Sequence, residues 1–506
     1  MIIITMKNFL LIVILAIYSS TCLCQSAPKP YGPLPTKAQL NWQETEMYCI
    51  VHWGPDTYTN KEWGYGDEDP KLIDLKQFDA LQIVSAAKAG GFKGIVVVAK
   101  HHDGFCLWPT KTTEHNITKS PYKNGKGDIV REYRQACDKL NMKMGIYCSP
   151  WDRNSAIYGK PEYVTDVFRK QITELYTNYG PLFITWFDGA NGGDGYYGGA
   201  REMRTIDRST YYDWPNTWAI VRKLEPGAAI FGDVGPDVRW LGNEKGEAGE
   251  TCWETYTPHS PDSTKLPANS FVKSDEGIEG HRDGKYWMPA ECDVALRPGW
   301  FYHKSEDGKS KSPKELLNLY YKSVGRGACL DLGLSPDQSG RLPIDEVETL
   351  RKFGSILRNT FNTNIAQGAT LKASNIRGGN AALYGPKMLL DNDRYSYWAT
   401  DDNVKTPVLT VDMHHNKTFN IIRLRENIKL GQRIDSVAID AWHSGKWKQI
   451  ATATSIGANR LIRLPQDENT SKVRLRVIKS ATCIALSDFG LYKETIDESP
   501  VLTKID

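Results

Sequence analysis

Between residues 40 and 360 the chain alternates short apolar runs with segments whose apolar positions recur at helical spacing. Residues 48–53 read as a buried strand, and residues 78–89 as a helix stopped by Gly90-Gly91. Residues 94–99 form a β-branched run too apolar for a half-exposed strand, as expected of a parallel sheet covered on both faces. Asp128 precedes Ile129, Val130, Tyr133, Cys137 and Leu140, an N-cap followed by one apolar helical face. A strand over 142–149, a helix over 161–179 opened by Pro161 and closed by Gly180, and a strand over 182–187 follow. Later strands are predicted over 228–232, 287–291 and 328–332, the last flanked by helices over 313–324 and 343–358.

Repeated β-then-α units over some 300 residues fit either an eight-stranded barrel or a doubly wound sheet. Polar residues gather where strands end: His52, His101-His102-Asp103, Trp151-Asp152 and Asp188. Barrels place chemistry at that end, which favours a (β/α)8-like barrel over residues 35–361. Residues 190–285, rich in Gly, Asp and Trp, are expected to form long loops over the barrel mouth. After residue 362 the texture changes to short strands at 408–413, 419–425, 436–442, 461–464, 473–479 and 489–493, several alternating polar and apolar. That pattern predicts an all-β sandwich over residues 362–495, packed on the barrel because no low-complexity linker separates them.

The N-terminus adds a destination. Lys7 precedes an apolar run over 9–17, then the small and polar residues 19–24, the three-part layout of a secretory signal too short to span a bilayer. Residues 1–24 are therefore expected to be removed near Cys24, giving an exported, periplasmic or secreted protein. A lipid anchor on Cys22 or Cys24 is disfavoured by the residues ahead of each. The other eight cysteines show no CxxC or CxxH spacing and several lie in apolar runs, which predicts buried free thiols rather than a disulfide framework or a zinc site. With 24% charged residues and a net charge of +3 spread without a long run of one sign, a nucleic-acid partner is not expected. Fifteen Trp and 25 Tyr suit the apolar faces of sugars, and equally suit cores.

Three segments carry candidate chemistry. The strand over 182–187 ends in Asp188-Gly189, a carboxylate that would project from the barrel floor, with Trp186 beside it. Lys100-His101-His102-Asp103 also follows a buried strand. Adjacent residues on a strand face opposite sides, so the two histidines make a poor metal clamp and better hydrogen-bonding groups for hydroxyls. Glu62-Trp63 sets a carboxylate beside an indole, and Arg239-Trp240-Leu241-Gly242-Asn243-Glu244 offers a second acid. Two carboxylates are what glycoside hydrolysis needs, one to attack or activate water and one to protonate the leaving oxygen.

His52-Trp53-Gly54, Glu62-Trp63, Ala87-Lys88-Ala89-Gly90-Gly91-Phe92, Lys100-His101-His102-Asp103-Gly104-Phe105, Tyr147-Cys148-Ser149-Pro150-Trp151, Trp186-Phe187-Asp188-Gly189 and the Leu332-Gly333-Leu334-Ser335-Pro336-Asp337 segment occur in that order. Together they resemble family 29 of the glycoside hydrolases, the retaining α-L-fucosidases, over roughly residues 40–360. Trp186-Phe187-Asp188-Gly189-Ala190 and Arg239-Trp240-x-Gly242-Asn243-Glu244 resemble the subgroup that prefers α-1,3/1,4-linked fucose in branched, Lewis-type glycans. The resemblance implies Asp188 as nucleophile and Glu244 as acid/base, with Glu247, Glu250 and Glu254 as rivals for the second role. It implies that His52, Glu62, Trp63, His101, His102, Tyr147, Trp186, Arg239 and Trp300 bind the substrate, a fucosylated oligosaccharide or glycoconjugate, without a required cofactor. Asp391-Asn392-Asp393 followed by Tyr397-Trp398 resembles a galactose-binding-like, discoidin-type sandwich, a class that leaves room for a structural calcium. Two other readings are a catalytically silent glycan-binding protein on the same scaffold and a metal-dependent barrel hydrolase using His52, His101 and His102.

Overall fold

The computed structural model describes residues 26–496 apart from 233–234, 261–262 and 268–270. The signal segment expected over 1–24, with Cys22 and Cys24, lies outside the described residues. Eight strands form one sheet: β1 (Met47–Val51), β2 (Gly94–Lys100), β3 (Lys143–Cys148), β4 (Ile184–Phe187), β5 (Ala229–Gly232), β6 (Arg239–Trp240), β7 (Ala290–Ala295) and β8 (Cys329–Leu334). Their order, β5-β4-β3-β2-β1-β8-β7-β6, with parallel pairing throughout, is that of a barrel open only between β5 and β6. Asp237 bridges that seam: its N–H donates to the Ile230 carbonyl at 3.2 Å, and its carboxylate accepts the Ile230 N–H at 2.8 Å.

Strand alternation sorts the side chains into two cores. Tyr48, Ile50, Val96, Val98, Tyr147, Trp186 and Phe231 fill the barrel interior. Cys49, Val51, Ile95, Val97, Ile146 and Cys148 pack outward against the helices. These helices are α1 (Ala80–Ala89), α2 (Ile129–Leu140), α3 (Arg169–Tyr179), α4 (Trp214–Leu224), α5 (Pro313–Lys322) and α6 (Ile344–Phe361). Asp128 caps α2 as its pattern predicts, accepting the Arg131 N–H at 2.9 Å. All eight described cysteines are buried free thiols.

Two sequence expectations change. The strand expected over 287–291 lies at Ala290–Ala295, because Tyr286–Trp287 instead pairs antiparallel with Thr255–Tyr256. Residues 190–285 are more than loops: besides β5, the strand expected over 228–232, they contain a hairpin (Gly192–Gly195 with Glu202–Thr205), α4 and β6. The hairpin strands and β6 are too short to carry a period-2 signal in the sequence.

The C-terminal domain is a seven-stranded antiparallel sandwich. Its predicted short strands merge into long ones, Val408–Glu426 and Arg460–Ser480, which bend at register shifts between Asp412 and Lys417 and between Phe419 and Ile421. The domain packs on the barrel through buried and half-buried polar contacts. Arg394 and Arg425 both reach Glu46 Oε1, at 2.8 and 2.9 Å, and Ala458 N–H donates to Glu254 at 3.1 Å. No described helix is long and apolar enough to cross a membrane.

Candidate active site

A cavity of about 330 Å³ opens at the C-terminal ends of the barrel strands. Most of the expected residues line it, each for a local reason. His52 is the first residue after β1 and keeps the inward phase of Tyr48 and Ile50. Asp188 does the same after β4, continuing Ile184 and Trp186. Tyr147, inward on β3, stacks on Trp186 and donates its hydroxyl to Asp188 Oδ2 at 3.1 Å.

Both His101 and His102 face the cavity, contrary to the alternation argument. β2 ends at Lys100, and the turn after it releases the backbone from the strand's two-sided geometry, so the two rings lie 4.1 Å apart and 34° from parallel. His102 Nδ1 lies 2.8 Å from Ser149 Oγ, and that hydroxyl donates to the Asp188 carbonyl at 2.9 Å. His102 Nε2 is 3.7 Å from Asp188 Oδ2. Gly189 makes this approach possible: at φ +80°, a Cβ there would stand 2.3 Å from His102 Cε1. Among the described residues no group of three or more His, Cys, Asp or Glu side chains is arranged to hold a metal ion.

Burial holds His52 and His102 well below the ordinary imidazole range, with His101 beside each adding to the effect. Both are neutral at neutral pH, each ring offering one donor and one acceptor to hydroxyls. Burial raises the Asp188 carboxyl, opposed by His101, by the Tyr147 hydrogen bond and by the Gly189 N–H. Its side chain remains 41% exposed toward the cavity, available to an incoming group.

The opposite wall is built by Trp300, which follows β7. Its indole N–H donates to Glu244 Oε2 at 3.1 Å, and its backbone N–H donates to Glu62 Oε2 at 2.9 Å. Glu62 also accepts the Phe301 N–H at 3.2 Å and lies 2.6 Å from His303 Nε2. Gly333 on β8 leaves room for the Trp300 ring, since a Cβ there would meet it at 2.6 Å. Trp63 is 59% exposed at the mouth, edge-on to Trp151 and His102.

The four candidate second acids separate clearly. Glu244 lines the cavity. Glu247 pairs with Lys322 at 2.8 Å, Glu250 with Arg326 and Arg460, and Glu254 is buried against Gln43 and Ala458 at the domain interface.

Arg239, expected to bind the substrate, does not reach the cavity. It is fully buried and points away from the cavity, donating to the carbonyls of Gly277 at 2.7 Å, Met288 and Trp253 at 3.0 Å. On a strand only one of two neighbours can face inward, and on β6 that is Trp240, which lines the cavity. Sequence reasoning also missed Asp293 and Asp331 in the cavity floor, with Glu291 one alternation below. Asp293 accepts the Trp240 indole N–H at 2.8 Å; Glu291 accepts the Trp186 indole at 2.9 Å and the Tyr48 hydroxyl. Burial, with the neighbouring Glu244 and Asp188 adding and the Trp240 hydrogen bond opposing, pushes the Asp293 carboxyl up to about 8. Positions 291 and 293 alternate along one strand and so share a face, but the strand expected over 287–291 stops short of Asp293.

A carboxylate open to a cavity, a second acid on the facing wall, neutral histidines and exposed indoles together form a site for a polyhydroxylated, ring-shaped ligand and for acid–base chemistry at it. Comparison with known proteins agrees. The family profile described as alpha-L-fucosidase matches residues 31–360, and that of the F5/8 type C domain matches residues 370–488. The chain is 37% identical over 486 residues to Alpha-L-fucosidase 1 of Arabidopsis thaliana, covering 96% of this chain and 92% of that protein. Among solved structures, a family 29 glycoside hydrolase from an unknown rumen bacterium aligns with TM-score 0.80 at 37% identity, covering 94% of this chain and 79% of that one. A Ruminococcus gnavus family 29 fucosidase in complex with fucose aligns with TM-score 0.83 at 31% identity, covering 94% and 97%. The chain belongs to glycoside hydrolase family 29, the α-L-fucosidases.

Proposed function

We propose that this α-L-fucosidase is a retaining exo-enzyme that removes α-1,3/1,4-linked fucose from branched, Lewis-type oligosaccharides or glycoconjugates, with Asp188 as nucleophile and Glu244 as acid/base. The observation that carries the reading is the pairing of two carboxyls in one cavity: Asp188, held by Tyr147, and Glu244, held by Trp300. Asp188 attacks the anomeric carbon while the Glu244 carboxyl gives its proton to the departing glycosidic oxygen. Glu244 then takes a proton from water, the resulting hydroxide attacks the anomeric carbon, and the Asp188 ester bond breaks. Two inversions give net retention, and the chemistry calls for carboxyls about 5–5.5 Å apart. In this reading His52, Glu62, Trp63, His101, His102, Tyr147, Trp186 and Trp300 hold the sugar. The linkage preference rests on the similarity of residues 186–190 and 239–244 to the branched-substrate subgroup.

The test compares wild type with Asp188→Ala on a fucosylated Lewis-type trisaccharide and on a simple aryl fucoside, following free fucose. Release from the trisaccharide that is lost in the variant, with weak aryl hydrolysis, supports both parts. Strong aryl hydrolysis removes the linkage preference, and fucose from neither substrate removes the assignment.

Two expectations accompany this reading. Residues 1–24 direct export and are cleaved near Cys24, which N-terminal sequencing of secreted protein tests. A calcium at Asp391-Asn392-Asp393 would have to take Asp391 from the Ser396 hydroxyl that now bonds both its oxygens, at 2.9 and 2.7 Å. A shift in Tm between calcium and chelator tests it.

A further inference from the structure

Fucose is uncharged, yet the rim of its cavity carries a cation. Arg208 is the one Lys or Arg among the described residues lining the cavity, whose other charged members are carboxylates. It sits on the insertion between β4 and α4, not on a strand end, so it overlooks the mouth through which the remainder of a glycan must lie. Its backbone is fixed: the Arg208 carbonyl accepts the Trp214 indole N–H at 2.7 Å, and the adjoining turn is closed by Asp207 accepting the Ser209 N–H at 2.9 Å and its hydroxyl at 2.6 Å. Its guanidinium carbon lies 5.7 Å from the Phe271 ring, on the loop between β6 and β7, so the side chain spans two rim segments.

The neighbouring arginines of this rim are already occupied. Arg201 pairs with Asp67 at 2.7 Å, Arg153 with Asp194 at 2.8 Å, and Arg204 with Glu202 at 2.8 Å. Among the described residues no carboxylate lies within ion-pair distance of Arg208; the adjacent Asp207 places its carboxylate on Ser209 and feels Arg208 only as a weaker, longer-range attraction. A guanidinium is a planar fork of donors that matches a carboxylate or a sulfate ester through two parallel hydrogen bonds. Trp63, which lines the same cavity, is also exposed.

We propose that Arg208 forms an anion subsite on the leaving-group side of the cavity, so that the enzyme accepts fucosylated glycans whose remainder carries an acidic group, a sugar carboxylate or a sulfate ester, close to the fucose. The inference rests on the fucosidase reading, with fucose in the cavity and its aglycone at the mouth.

The test measures kcat/KM for fucose release by the full chain from three glycans: a neutral Lewis-type oligosaccharide, its sialylated form and its sulfated form. Wild type is expected to use at least one acidic glycan as well as the neutral one or better. In Arg208→Gln the acidic-to-neutral ratio of kcat/KM falls about ten- to a hundredfold, the size of a lost hydrogen-bonded charge pair. Arg208→Lys retains part of the ratio, and raising NaCl from about 0.05 to about 0.5 M lowers it in wild type. A loss confined to the sialylated glycan identifies a carboxylate, and one confined to the sulfated glycan a sulfate ester. An unchanged ratio in Arg208→Gln, or a wild type that rejects both acidic glycans, overturns the subsite. No fucose from any of the three overturns the underlying assignment instead, a separate result.

Discussion

The indole N–H of Trp300 donates to Glu244 Oε2 at 3.1 Å, so the orientation of the proposed acid depends on a residue 56 positions away on the loop after β7. Because the Trp300 backbone N–H also holds Glu62, one residue positions both acids of that wall. Trp300→Phe keeps the apolar ring and removes the donor. The expected result is a kcat about tenfold lower on an oligosaccharide, whose leaving oxygen needs the proton, and a smaller loss on an aryl fucoside with an acidic phenol. Equal losses on both substrates would assign Trp300 to sugar binding alone.

The second acid is separable from its rivals by substitution. Glu244→Gln is expected to lower kcat/KM on the oligosaccharide by about 10²- to 10³-fold. Glu247→Gln and Glu250→Gln stay within about twofold, since their carboxylates face Lys322, Arg326 and Arg460 outside the cavity. Added azide, acting as an external nucleophile, is expected to restore turnover of an aryl fucoside in the Glu244 variant only.

Tyr147→Phe tests how the site tunes its nucleophile. The Tyr147 hydroxyl favours the ionised form of Asp188, and burial opposes it. Removing the hydroxyl therefore raises the Asp188 carboxyl further, and the acid limb of the kcat/KM profile moves to higher pH by about one unit. A limb that stays in place would detach Tyr147 from the ionisation of Asp188.

Stability should also depend on pH, in a direction set by buried acids. Burial raises Asp293 to about 8 and Glu254, Glu346 and Glu426 to about 7. In the unfolded chain such groups titrate near about 4. Between about pH 4 and about pH 8 the fold therefore holds protons that the unfolded chain releases, and stability falls as pH rises through that window. Glu46 works the other way. Its burial is outweighed by Arg425, Arg394 and Lys93, which hold its carboxyl far below the ordinary range, so its contribution is lost in strong acid. Tm measured from about pH 4 to about pH 9 is expected to peak on the acid side of neutrality. Asp293→Asn, which removes one of these protons, should flatten the fall between about pH 5 and about pH 8. A Tm that climbs steadily toward pH 8 would contradict this.

Much of this molecule is legible in the chain because its signals are local. The β-branched run at 94–99, the Asp128 cap and the carboxylate ending the strand at Asp188 each reflect the preferences of a few consecutive residues, and a parallel barrel repeats them often enough to be recognised. Tertiary structure decided which of two neighbours faces the sugar. Arg239 and Trp240 are adjacent, and only the register of β6 against β7 turns Trp240 inward and Arg239 toward Gly277. His101 and His102 share the cavity because β2 stops one residue before them. Glu244 stands apart from Glu250 and Glu254 because the sandwich domain docks on the latter two. A strand's phase, a loop's path and a domain's docking are set by contacts between residues far apart in sequence. Composition and spacing carry no record of them.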